Sequence, residues 1–343
     1  MKQPLGSVGG ATSRSYSDAV AARTYKRREV AKAVAWKHAT AALPDAARVP
    51  APYVGKDGIA SGQPLDICLP SEFAALNLLP EVRESAPGLF AELAITWHAG
   101  VDDGPSNHLQ SSQVQCVNAL GQMVHDPQRV ALAFGPVLGV AEVLEIEPGR
   151  FLTFEFIGDD DLLHEAVNGK RTRGSHCTSV DAAFLHRTAE GVVELVLVEW
   201  KYTESYPATT PEKRKLTTRW ARYGTLLDAD DGPIDTTLLD FADLTVEPIY
   251  QLIRQQLLAH ELERTSTLGA DVVRVLHVRP ASNVAYQYSL RRMAPYAGLG
   301  DTVDEVWSKL LRRADRFTIL DSVHFLNADI TSDEYVSRYG DHE

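Results

Sequence analysis

Apolar and polar positions recur along the chain with two different periods, and the change from one to the other outlines its elements. Between residues 111 and 124, Val114, Val117, Gly121 and Val124 fall on one helical face, and Ser112 with Gln115 makes a capping-box pattern. Two strand-like runs follow, VLGVAEVLEIE at 137–147 and RFLTFEFIG at 150–158, divided by a Pro148-Gly149 turn. TSVDAAFLHR and VVELVLVEWKY, joined by TAEG, read as a hairpin. The second of these runs is apolar almost throughout, as a strand covered on both faces must be. After a polar, partly basic region, Ile249, Leu252, Ile253 and Leu257 predict a helix over Pro248–Leu262, and DVVRVLHVRP predicts another buried strand. A last helix is expected over 303–312, with Thr302 and Glu305 as its capping box. Helix, strands, helix, strand is the order of a mixed α/β protein.

The N-terminal stretch has a different character. GSVGGATSRS reads as a flexible arm and YSDAVAARTYKRREVAKAVAWKHATAAL as an Ala-rich basic helix that ends before a Pro-containing stretch. Residues 1–60 hold ten Lys/Arg and four Asp/Glu, within a chain whose formal charge is −12. Such a helix can touch phosphates, or it can pack its Val20, Tyr25, Val30 and Val34 side and leave the charges in solvent. We therefore divide the chain at residue 60, into a basic arm and helix (1–60) and a single larger domain (61–343).

Composition excludes several classes. The 343 residues are 44% hydrophobic and 23% charged, which is globular rather than disordered. Three scattered cysteines, Cys68, Cys116 and Cys177, form no CxxC pair, which argues against a disulfide framework or zinc ribbon and suits a reducing, cytoplasmic setting. No apolar run is long enough for a membrane span, and neither a phosphate-binding GxxxxGK[ST] nor a GxGxxG fingerprint occurs.

The most informative feature ends the buried strand. Glu199 and Lys201, two apart on a strand, project from the same face at the close of an apolar run. Burying such charges costs several kcal/mol unless each is paired or binds a metal. Asp181 lies in the neighbouring strand of the hairpin, where it can approach Glu199. Two carboxylates converging beside a lysine repel one another, and a divalent cation with a preference for oxygen ligands relieves that repulsion. The plain alternative is a Glu199–Lys201 salt bridge with Asp181 in a turn.

Asp181…Glu199-x-Lys201 on adjacent strands resembles the PD-(D/E)XK nuclease superfamily, and in particular a restriction-endonuclease-like branch of bacterial proteins. SSQVQCVNAL at 111–120, TSVDA at 178–182, VEWKYTES at 198–205 and YQLIRQQLLA at 250–259 are similar to segments of that branch, as is VRPASNVAYQ at 278–287. The resemblance covers roughly residues 65–325. It implies an α/β fold with an αβββαβ core, a mixed central sheet flanked by helices. It also implies a metal-dependent endonuclease acting on nucleic acid, most readily DNA, with Mg²⁺ or Mn²⁺ as cofactor. Asp181 and Glu199 then correspond to metal-binding carboxylates, the Trp200 carbonyl to a further ligand, and Lys201 to the residue that positions the attacking water.

Two departures stand out. Val180 replaces the proline of the motif, and the first helix carries no acidic residue from 109 to 124, so either Gln113 or Asn118 faces the site instead or the helix is purely structural. Glu204 and Glu155 are weaker candidates. Lys170, Arg171 and Arg173 on one side of the site, and Lys213, Arg214, Lys215, Arg219 and Arg222 on the other, are either a grip on a phosphate backbone or solvated loops. Trp220 and Tyr223 in the second cluster either stack on bases or pack in the core. Two copies acting together would cut both strands of a duplex, so a homodimer is one possible assembly for that substrate, although no feature of the sequence requires it. The competing reading is a catalytically inactive nucleic-acid- or protein-binding module on the same fold.

Overall fold

The computed structural model describes residues 10–341 apart from Lys56, and the side chains of residues 24–341. A long helix, α1 (Gly10–Ala39), opens the described chain, followed by a two-stranded antiparallel hairpin, β1 (Ala51–Val54) and β2 (Ala60–Leu65). Four helices come next: α2 (Pro80–Arg83), α3 (Ser85–Glu92), α4 (Ser112–Leu120) and α5 (Pro127–Leu138). The main sheet is built from β3 (Val140–Leu144), β4 (Leu152–Phe156), β5 (Val180–Thr188), β6 (Val193–Trp200), β7 (Val272–Arg279) and β8 (Phe317–Asp321). Between β6 and β7 lie α6 (Lys213–Leu227), α7 (Phe241–Leu244) and α8 (Ile249–Arg264). Helices α9 (Val284–Gln287) and α10 (Val303–Leu310) precede β8, and α11 (Asp333–Tyr339) ends the described chain.

The fold is α/β, a mixed six-stranded sheet flanked by helices, in the order β3-β5-β6-β7-β8 with β4 also paired to β5. β5 and β6 are antiparallel, while β6–β7 and β7–β8 are parallel through helical crossovers. β3 pairs with Leu185–Thr188 and β4 with Val180–Phe184, so the two strands lie end to end along one edge of β5. The expected turn is present, with the Arg150 N–H donating to the Glu147 carbonyl at 2.8 Å, but it links successive pieces of one edge rather than a hairpin pair. The αβββαβ order therefore holds, with β3 and β4 together filling the first strand position.

Several boundaries move. Ser111, not Ser112, caps α4 by accepting the Val114 N–H, and the helix tightens into a 3-10 turn at Gly121–Met123. Val137 and Leu138 belong to α5, which ends at Gly139 in the left-handed conformation (φ +68°) that glycine adopts without a Cβ penalty. The Thr302–Glu305 capping box of α10 is formed as expected. Helix α1 begins at Gly10, so residues 10–15 of the expected GSVGGATSRS arm are helical, and residues 1–9 lie outside the described residues.

Two apolar cores sandwich the sheet. Phe184, Val196, Val198 and Trp200 pack with Trp36, Val117 and Phe134 on one face, whereas Leu195, Leu197 and Val275 pack with Ile253, Leu257 and Trp307 on the other. β6 is thus covered on both sides, which is why its sequence lacks alternation. Helix α1 packs on α9 and α11 and sends Ala33 and Trp36 into the first core. Tyr25 is buried, and Val30 and Val34 pack against that core, while the Val20 side chain lies outside the described residues. Lys37, on the same helix, is fully buried and donates to the carbonyls of Val49, Asp66 and Cys68. Among the described residues no helix is long and apolar enough to cross a membrane.

Candidate active site

Strand alternation carries Glu199 and Lys201 onto the Leu195–Leu197 face, at the end of β6 where the first helices, β5 and α8 converge. The β5–β6 ladder runs to the Ala182–Val198 pair and then stops. Beyond it the Asp181 carboxylate, rather than a strand carbonyl, accepts the Trp200 N–H at 2.7 Å. The strands part at that point and open a cavity of about 530 Å³, whose lining includes Gln113, Glu155, Asp181, Glu199, Trp200, Lys201, Glu204 and Gln251. The sequence-predicted Asp181, Glu199, Trp200, Lys201 and Gln113 thus share one cavity.

Each group has specific partners. Lys201 Nζ donates to Glu199 Oε1 at 2.6 Å and to Gln251 Oε1 at 2.7 Å. Glu199 also accepts from the side-chain amides of Gln251, at 2.7 Å, and Gln255. Both glutamines come from successive turns of α8, where their spacing of four places them on one helical face. The Trp200 indole is buried and donates to Gln115 at 3.0 Å, while its carbonyl accepts from Ser112 Oγ at 3.2 Å. Glu204 accepts the Tyr202 N–H.

Glu155 is the residue that sequence reasoning undervalued. It sits in β4 with φ +47°, in the left-handed region that is sparsely populated for a non-glycine residue. Its neighbours show the consequence: Phe154 packs in one core and Phe156 in the other, although a regular strand would point both to the same face. The break delivers the Glu155 carboxylate to the cavity, where Gln113 Nε2 donates to it at 2.8 Å and Ser179 Oγ at 2.7 Å. Gly174 leaves the room, since a Cβ there would stand 3.3 Å from the Glu155 carboxyl carbon. The one sequence signal was FEF, a charge where an apolar side chain fits the pattern.

Asn118 does not face this cavity. Its amide accepts the Leu79 N–H and donates to the Asn77 carbonyl and Tyr339 hydroxyl. Nor do the cations before β5 reach it as free charges. Arg171 donates to the carbonyls of Ile157, Gly158 and Asp159, and Arg173 to Glu147 and Thr153. Tyr223 is buried with its hydroxyl on Glu165. Trp220, by contrast, is 45% exposed.

The electrostatics are unbalanced. Glu155, Asp181, Glu199 and Glu204 line the cavity beside one ammonium, Lys201. Burial, followed by the charges of Glu199 and Glu155, pushes the Asp181 carboxyl well above its usual range. Burial also raises Glu155, against the hydrogen bonds from Ser179 and Gln113. Burial works against the Lys201 ammonium, but Glu199 and the other anionic groups around it outweigh that and hold the lysine firmly charged. His277, beside Glu199 in the β6–β7 register, is held neutral by burial and by the Lys201 charge. Oxygen donors in excess of cations are the environment a hard divalent ion favours. Among the described residues, however, no three His, Cys, Asp or Glu side chains are gathered closely enough to hold an ion by themselves.

Residues 30–340 match a family described as restriction endonuclease associating with ARP. No curated protein and no solved structure shows a significant match to the chain.

Proposed function

This chain belongs to the restriction-endonuclease-like family associating with ARP, and from that premise we propose that it is a metal-dependent endonuclease, with DNA as the preferred substrate. The observation that carries the reading is the meeting of Asp181, Glu199 and Lys201 in one cavity whose carboxylates outnumber its ammonium groups. The oxygen donors of Asp181, Glu199 and the Trp200 carbonyl, completed by water, fit Mg²⁺ or Mn²⁺. A cation held there would offset charge on the attacked phosphate. Lys201 spends two of its three donors on Glu199 and Gln251, which leaves one for a water or a phosphate oxygen. Gln251 and Gln255 hold Glu199 in place, and Gln113 does the same for Glu155, so that the first helix supplies a strut where an acid was expected.

Cleavage of supercoiled plasmid, single-stranded DNA and RNA in Mg²⁺, Mn²⁺ or EDTA, with Asp181→Ala alongside, tests this. Metal-dependent cutting that disappears in the variant supports the reading, and cutting that survives it refutes the assigned site. The second reading, an inactive binding module, draws on the saturation of Glu199 and Glu155 by protein partners. Calorimetric titration separates the two, because an inactive site of that kind takes up neither Mg²⁺ nor Mn²⁺. Association with an ARP partner, as the family description has it, extends to this chain as a further proposal.

A further inference from the structure

Helix α6 breaks a local rule of stability. Its fifteen residues, KRKLTTRWARYGTLL, hold five cations and no acid in a chain of net charge −12, and Lys213, Arg214 and Lys215 crowd the first turn, where the helix dipole disfavours positive charge. Only Glu212, just before the helix, answers them, pairing with Lys215 at 2.9 Å and Arg214 at 3.5 Å. Among the described residues the side chains of Lys213 and Arg222 make no hydrogen bond or ion pair. Arg219 is committed to the Thr245 carbonyl and lies over the Tyr250 ring.

The same helix carries Trp220, the only exposed aromatic side chain among the described Phe, Trp and Tyr residues. Its indole lies flat on its own helix. A Cβ at Gly224 would stand 2.8 Å from two indole ring atoms, so the ring occupies the place that a side chain at 224 would take. Phe241 packs nearly perpendicular to it, with ring centroids 4.8 Å apart, and Trp220 still keeps 45% of its surface exposed. Lys213 is seven residues earlier, on the same stripe and about 10.5 Å away along the axis. The helix adjoins the active site, because Tyr250, under Arg219, precedes the Gln251 that binds Lys201.

We propose that the exposed face of α6 is a docking surface for an unpaired nucleic-acid strand, with a base stacked on Trp220 and neighbouring phosphates on Lys213 and Arg214. The inference rests on the nuclease reading and names its substrate class. Charge complementarity selects a polyanion. The flat ring selects an unpaired base, since bases in a duplex already stack on one another and an indole lying along its helix cannot wedge between them.

Binding of fluorescently labelled oligothymidylate, oligouridylate and a DNA duplex, measured by anisotropy in EDTA, tests the surface without requiring cleavage. Trp220→Ala is expected to weaken strand binding roughly tenfold, and Trp220→Phe to restore most of it. Duplex affinity should change less than twofold. Lys213→Glu, at an exposed position that cannot compromise the core, should also weaken strand binding and flatten its salt dependence. A loss confined to one sugar identifies the strand as DNA or RNA, and a loss with both assigns unpaired strands generally. Wild-type protein that binds no strand, variants that bind it unchanged, or an equal loss for the duplex would each overturn the proposal, whatever the plasmid assay shows.

Discussion

The Gln113 side-chain amide donates to the Glu155 carboxylate at 2.8 Å, which ties the start of α4 to a left-handed residue near the end of β4. Gln113 also accepts the His98 N–H and donates to the Thr96 carbonyl, so it braces the loop beside the cavity. Removing such a brace leaves the acid in place but free to turn away. Gln113→Ala is expected to lower cleavage by about tenfold or more, the usual cost of losing a group that orients a site residue. Glu155→Gln should cost at least as much. Single-turnover cleavage across a Mg²⁺ titration checks both, and unchanged rates would exclude Glu155 from the chemistry.

Lys201 and Glu199 form a pair that is almost fully buried, with 6% and 3% of their side chains exposed. Lys201→Met strips Glu199 of its cation and is expected to destabilise the protein by about 3–5 kcal/mol. The double variant Lys201→Met, Glu199→Gln removes both charges and should recover most of that loss. Urea unfolding at pH 7 in EDTA measures it; a double variant no more stable than the single one would show that the pair is not what holds this end of β6.

The raised Asp181 carboxyl sets a pH dependence. A raised folded-state pKa means that the native protein binds the proton more tightly than the unfolded chain does. The contribution is therefore fully present below the unfolded value of about 3.9 and is lost as pH rises through the folded one. Asp181→Asn keeps an oxygen for the Trp200 N–H and removes the charge. In EDTA at pH 7 it should be more stable than wild type by on the order of 1 kcal/mol, and near pH 4 the advantage should shrink. An advantage independent of pH would remove Asp181 as its source. Adding Mg²⁺ should raise the unfolding temperature of the wild type and leave that of the variant unchanged.

Arg338 pins the end of the described chain to the first core. It is buried, donates to the Asn77 carbonyl, the Asn77 side chain and the Leu109 carbonyl, and stacks over Trp36. Arg338→Met leaves these acceptors without a donor and should cost about 3 kcal/mol or more. Thermal unfolding reads this directly, and a loss below 1 kcal/mol would mean that water replaces the guanidinium.

Local pattern was enough for much of the protein. The hairpin of β5 and β6, the buried character of β6 and β7, and α8 and α10 all follow from periodicity and capping, which depend on residues a few positions apart. The same alternation put Glu199 and Lys201 on one face, and the short TAEG connection brought Asp181 to them. The β1–β2 hairpin and β8, with α2, α3, α5, α6, α7, α9 and α11, escaped this reading; α5 carries a proline within it, α6 is largely polar where a basic loop region was read, and the others are short.

Tertiary packing decided the rest. Glu155 reaches the cavity only because one backbone torsion in β4 reverses the strand's alternation, and no periodic pattern encodes such a break. Gln251 and Gln255 became site residues through the docking of α8 on the sheet, which brings together groups about fifty positions apart. Arg171 and Arg173 looked like Lys213 and Arg214 in the sequence, yet carbonyls, a hydroxyl and a carboxylate bind the first two, while the second two stand in solvent. Residue type sets what a side chain is able to bind. Which partner it meets depends on contacts between distant segments, and these exist only once the chain has folded.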